Sequence, residues 1–161
     1  DLSKKEETKK TDFDQKSHHA LAKRAAAESA VLLKNERNIL PLKEKTKVAL
    51  IGDFAFVPRY QGAGSSMVNP FNVESMDQLI DEYDLKVIGK AHGYTRNGEP
   101  DADLEKEALE AAVGADVVLY CFGLDEVSES EGKDREHMRL PQNQLRLLNE
   151  LVKVNEILWV F

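Results

Sequence analysis

The sequence predicts an α/β fold: a three-layer α/β/α sandwich with a mainly parallel sheet, truncated at its C-terminal end. Three observations carry this. Short apolar runs alternate with segments of helical periodicity, the pattern of successive βα units. The runs are continuously apolar, as in strands covered on both faces. The chain also stops inside or at the end of such a run, at EILWVF, so the expectation is a cut piece of a longer protein.

Residues 1–16 are polar and lysine-rich, with Phe13 the only aromatic, and read as a linker or disordered lead. The domain proper is expected over residues 17–161. From Ser17 to Lys34 the spacing predicts a helix, with Ala22, Ala25, Ala26, Ser29, Leu32 and Leu33 on one face. Asp14 or Ser17 caps it. The alanines of that face allow close approach to a neighbour. Ile39 to Leu42 is an apolar tether, and Pro41 excludes a central strand there. KVALI, 47–51, reads as the first strand. The Gly-, Ser- and Asn-rich stretch 58–70 is a loop of unusual length, which itself points to function.

Ser75 caps a helix reaching about Glu82, with Met76, Leu79, Ile80 and Tyr83 as apolar positions. Residues 85–91 form the second strand, and Gly93 to Pro100 is turn chemistry. Asp101 or Asp103 opens a helix that stops near Gly114. DVVLYCF, 116–122, is the third and most apolar strand. A helix from Pro141 to about Asn155 carries Leu145, Leu148, Leu151 and Val152. Residues 156–161 begin a fourth strand.

Composition excludes several function classes. At 161 residues the chain is long enough for one domain with a real core. A formal net charge of −7 disfavours a nucleic-acid partner, whose phosphates need a basic face. No apolar run approaches a membrane helix, so no membrane partner is expected. The charged start DLSKKEETKK is not a signal peptide, and the reading is cytoplasmic. The single cysteine, Cys121, forms no internal disulfide and reads as a small core residue.

Gly62-Ala63-Gly64-Ser65-Ser66 invites a nucleotide site, but the third fingerprint glycine would be Met67, and no phosphate-loop lysine follows. Ser65 and Ser66 lack a nucleophile-elbow context. His18 and His19 are adjacent on a helix and diverge by about 100°, so they suit no common metal. No cofactor or metal is expected. The loop 123–139 carries Asp125, Glu126, Glu129, Glu131, Asp134 and Glu136 beyond the carboxyl end of the third strand. Ligands of open α/β sheets bind at that edge. The plain alternative is a solvated charged loop. Two carboxyl groups hydrolyse glycosides, but Glu129 and Glu131 are too close in sequence to flank one sugar. This loop then supplies one carboxyl and another domain the second.

Four stretches carry a family resemblance. AAAESAVLLKNERNILPL, KVALIGDFAFVPRYQGAGSSMVNP, EALEAAVGADVV and ADVVLYCFGLDEVSESEGKDREHMRLPQNQ stand in the order and spacing of the C-terminal α/β sandwich domain of family 3 glycoside hydrolases, the β-glucosidase type. The chain resembles that domain over most of residues 17–161. The resemblance implies a fragment of a retaining, exo-acting β-glycosidase acting on a β-glucoside-like carbohydrate. Its partner is an N-terminal barrel domain of the same protein, which supplies an aspartate nucleophile. The acid/base is then Glu129, which stands three residues before Gly132, with Glu131 as the rival. Asp134 and Arg135 read as a pair that folds the loop, and Arg59, Gln61 and Ser65 as the pocket wall. The isolated chain is expected to be inactive. The competing class is a non-catalytic binding module, receiver-like or flavodoxin-like. A receiver would want clustered aspartates after the first strand, where only Asp53 stands.

Overall fold

The computed structural model describes residues 13–160, and within 156–160 the backbone alone. The expected lead of residues 1–16 therefore lies mostly outside the described residues, as does Phe161. The chain divides into two units, residues 1–41 and 42–161.

In the first unit, helix α1 spans Gln15–Ser29, capped by the Asp14 side chain on the Lys16 amide. It is shorter than the spacing predicts. The Ser29 hydroxyl turns back to the Ala25 carbonyl at 2.7 Å, and Ala30 leaves in extended conformation. Leu32 and Leu33 thus fall outside the helix. None of the α1 residues is buried within this unit.

The second unit holds a four-stranded sheet of order β2-β1-β3-β4, all pairs parallel. The strands are β1 (Lys47–Ile51), β2 (Lys86–Ala91), β3 (Val117–Cys121) and β4 (Glu156–Val160). The runs at 47–51 and 116–122 are strands for the reason their composition indicates: β1 past Lys47 and all of β3 are buried. Side chains alternate across the sheet. Ala49, Ile51, Val118 and Tyr120 join Ala108, Ala112, Leu147, Leu148 and Leu151 in one core cluster. Those partners come from α4 (Ala102–Ala112) and α5 (Gln142–Leu151). On the other face the Cys121 Sγ meets the Met76 Sδ at 3.6 Å. Met76 opens the short α3 (Met76–Leu79), which continues as a 3₁₀ turn, Ile80–Glu82. Helices on both faces make the predicted three layers.

Local signals set the helix boundaries. Ser75 and Gln78 form a reciprocal capping box at α3. The Asp101 carboxylate accepts from the Asp103 and Leu104 amides at α4. One short helix, α2 (Asp53–Phe56), was not anticipated. Tyr83 is exposed, because the chain turns extended there. The buried face of α5 is Asn143, Gln144, Leu147, Leu148 and Leu151. Leu147 stands in place of the expected Leu145, which is half-buried, and Val152, which follows the helix and is 48% exposed. The face is rotated because Asn143 and Gln144 have polar partners inside. Asn143 donates to the Thr95 carbonyl at 2.9 Å, and the Gln144 Oε1 accepts from the Gly123 amide at 3.0 Å.

Aromatic packing fixes the end of β3. Tyr120 stacks on Phe122 at 4.8 Å and meets Tyr94 edge-on at 6.1 Å. The Tyr94 hydroxyl donates to the Cys121 carbonyl at 2.7 Å, and the Tyr120 hydroxyl to the Gln144 carbonyl at 3.0 Å. Burial pushes the Cys121 thiol up to about 12. The loop that follows therefore leaves from a packed, hydrogen-bonded strand end.

Candidate functional site

The sheet order puts β1 between β2 and β3, so the connections from β1 and into β3 run to opposite sides. At such a switch point the loops leave a crevice at the carboxyl edge. The loops 58–70 and 123–139 meet there. Ala63 bridges Ser130 in parallel fashion, and the Glu131 amide donates to the Ala63 carbonyl at 3.0 Å.

Arg59 grips the second loop. Its Nη1 donates to the Glu129 carboxylate and to the Leu124 carbonyl, each at 3.2 Å, and its Nη2 to the Glu129 carbonyl at 3.1 Å. Its side chain is 18% exposed, against 51% for Glu129. Ser65 grips Glu131 instead. The Ser65 amide donates to Glu131 Oε2 at 2.6 Å, and the Ser65 hydroxyl bonds the same oxygen. Those two donors, the hydroxyl first, hold the Glu131 carboxyl below its ordinary value. Gln61 serves its own loop. Its amide group donates to the Val68 carbonyl at 3.2 Å and accepts from the Val68 amide at 3.0 Å.

Arg59, Gln61, Glu129 and Glu131 line a common open cleft of about 660 Å³. Ser65 does not line it; Ser66 does. Asp134 and Arg135 lie elsewhere, in a neighbouring cleft of about 450 Å³ with Arg96, Lys133 and His137. Among the described residues no ion pair joins Asp134 to Arg135. The loop is folded by other contacts: Asp125, buried, accepts from the Ser128 amide at 2.6 Å, and Lys133 donates to the Val127 carbonyl at 3.0 Å. Among the described residues no group of three or more histidine, cysteine or carboxylate side chains is arranged to hold a metal ion.

One cluster escaped the sequence reading. Asp53, just past β1, takes the His92 Nδ1 on one oxygen at 3.0 Å and the Arg96 Nε on the other at 2.7 Å. Arg96 also reaches Glu126 at 3.2 Å. The available signal was positional: Ile51 pairs with Ala91, so residues just beyond each are neighbours at the sheet edge.

The sequence model of the glycosyl hydrolase family 3 C-terminal domain matches residues 30–161. Thermostable β-glucosidase B of Acetivibrio thermocellus is 43% identical over 145 residues, 88% of this chain and 19% of that protein. An exo-α-(1→6)-L-arabinopyranosidase of Bifidobacterium breve is 42% identical over 154 residues, 89% of this chain and 20% of its own length. The crystal structure of a family 3 β-glucosidase from Bifidobacterium adolescentis superposes with a TM-score of 0.81 at 44% identity. That match covers 91% of this chain and 22% of that one. This chain thus spans about a fifth of the length of the relatives it matches. Over residues 30–161, then, this chain belongs to glycosyl hydrolase family 3, through the family's C-terminal domain.

Proposed function

We propose that this chain is the part of a retaining, exo-acting β-glycosidase, of β-glucosidase type, that carries the acid/base loop. A barrel domain of the same polypeptide supplies the nucleophilic carboxylate and most of the sugar-binding wall. The observation that carries the reading is the pairing of the loops 58–70 and 123–139 at the carboxyl edge, which leaves a glutamate exposed in an open cleft. The named relatives, a β-glucosidase and an exo-arabinopyranosidase, support a glycoside substrate.

The geometry favours Glu131 over Glu129 as that glutamate. Glu129 is clamped by a guanidinium on its carboxylate and its carbonyl. An arginine offers donors only, so this contact suits a fixed acceptor that ties two loops together. Glu131 is bonded by a hydroxyl, which donates to a carboxylate and accepts from a carboxylic acid. The hydroxyl thus serves both protonation states, as an acid/base needs, while the Ser65 amide, a donor only, favours the carboxylate. The barrel carboxylate, about 5 Å away in a retaining enzyme, raises the Glu131 pKa by like-charge repulsion. Protonated Glu131 then gives its proton to the glycosidic oxygen as the C1–O bond breaks and the nucleophile bonds C1. The ionised Glu131 next takes a proton from water as that water attacks C1 and frees the nucleophile.

The test uses the barrel-carrying protein. Glu131→Ala is expected to lose far more activity on poor leaving groups than on activated aryl β-glucosides, with azide restoring part of the turnover. If that signature belongs to Glu129→Ala, the roles are reversed. If neither variant shows it, the loop is not the source of the acid. The 161-residue chain alone is expected to be inactive.

A further inference from the structure

We propose that Arg96 is a positioning residue for the acid/base loop, a role that rests on the functional reading above. The guanidinium sits on the loop after β2 yet binds three other segments. It holds Asp53 after β1, the Val57 carbonyl beyond α2, and Glu126 in the loop after β3. Asp53 receives it through both Nε and Nη2. Below it lies Phe54, whose ring centre is 4.5 Å from the guanidinium carbon. The side chain is 25% exposed, so these bonds are only partly screened by water.

Glu126 precedes Glu129 and Glu131 on the same loop. Around Glu126 the chain folds on itself through the Asp125–Ser128 contact. Arg59 holds the loop at Leu124 and Glu129, and Arg96 holds it at Glu126 from the β2 side. The two arginines thus brace the loop's approach from different elements. Arg96 touches neither Glu129 nor Glu131, so it acts through Glu126 and Asp53. A lysine keeps the charge but, as a point charge, cannot reproduce a fork bound to three partners.

The test pairs Arg96→Lys with the milder Glu126→Gln, which leaves Arg96 bound to Asp53. In the barrel-carrying protein, a misplaced acid is expected to lower kcat/KM about tenfold on a poor leaving group and less than about twofold on a dinitrophenyl glucoside, whose kcat, limited by the base-assisted second step, falls together with its KM. Glu126→Gln should shift the same way, less far. Equal losses of kcat/KM across leaving groups, or no loss, would overturn the proposal. A second arm is independent of activity. In the 161-residue chain, Arg96→Lys should speed hydrogen exchange at the Ser128 and Glu131 amides while sparing Leu119 in β3. Unchanged protection at both loop amides overturns the proposal even if the glycosidase reading holds. Loss of protection there sustains the loop-bracing role even if the reading of Glu131 fails.

Discussion

Gly64 lies hard against Glu131: a methyl group on its Cα would stand 2.5 Å from the Glu131 Cβ. Gly64 also has a φ of +106°, a region that side chains disfavour. Gly64→Ala should therefore push the two loops apart. The expected readout is faster exchange of the Glu131 amide, which otherwise donates to the Ala63 carbonyl. In the barrel-carrying protein, activity on poor leaving groups should fall as well. Native exchange at Glu131 in the variant would show that the contact is not maintained in solution.

Ser65→Ala should raise the Glu131 pKa toward the ordinary glutamate value. The hydroxyl is the first cause of its lowering and the Ser65 amide, which remains, the second. The sign follows. In the parent chain the stabilisation that ionised Glu131 draws from these donors is fully present above the ordinary pKa of roughly 4.3 and is lost as pH falls through the lowered value. Carbon-13 titration of the Glu131 carboxyl checks this; an unmoved midpoint in Ser65→Ala would exclude the hydroxyl as the cause.

Stability should fall at alkaline pH. Burial pushes the Cys121 thiol up to about 12 and raises both the Tyr94 and Tyr120 hydroxyls. All three are native in their neutral forms, while the unfolded chain ionises near the ordinary values of roughly 8.5 and 10. The stability they contribute is complete below those values and lost as pH rises through the raised ones. The urea midpoint should hold from pH 7 to 8 and decline beyond about 9. A midpoint constant up to pH 11 would contradict the burial of these groups.

Gln144→Leu should cost about 1–3 kcal/mol, because the Gly123 amide loses its buried acceptor. Gln144 is fully buried, so water cannot readily replace it. Chemical denaturation measures the loss. A change under about 0.5 kcal/mol would mean that Gly123 finds another partner.

Much of this was legible because the dominant signals are local. Lys47–Ile51 and Val117–Cys121 are strands since their runs are apolar throughout and both sheet faces are covered. Asp101 and Ser75 cap helices by chemistry confined to a few residues. What failed was what depends on distant partners. The α5 face is turned by Asn143 and Gln144, whose bonds reach Thr95 and Gly123. The Asp53–His92 and Asp53–Arg96 contacts join residues 39 and 43 positions apart, and only strand register brings them together. At the site, the loop and its candidate glutamates were readable from composition. Which glutamate meets Arg59 and which meets Ser65 is decided by a one-residue bridge between Ala63 and Ser130.

The placement of β1 beside β3 also sets an order of events in time. Arg59 and Glu129 are 70 positions apart, and the register that unites them, Val48 opposite Val117, needs β3 in hand. A ribosome adding about 5–20 residues per second takes roughly 4–14 s to cover that interval. Through it the glycine-serine loop waits beside an unpaired edge of β1. The cleft therefore assembles only once β3 and the loop after it have been made, when the β1–β2 pair has already had its chance to form, and a nascent chain halted before residue 117 holds both β1 and β2 but lacks one wall of the cleft.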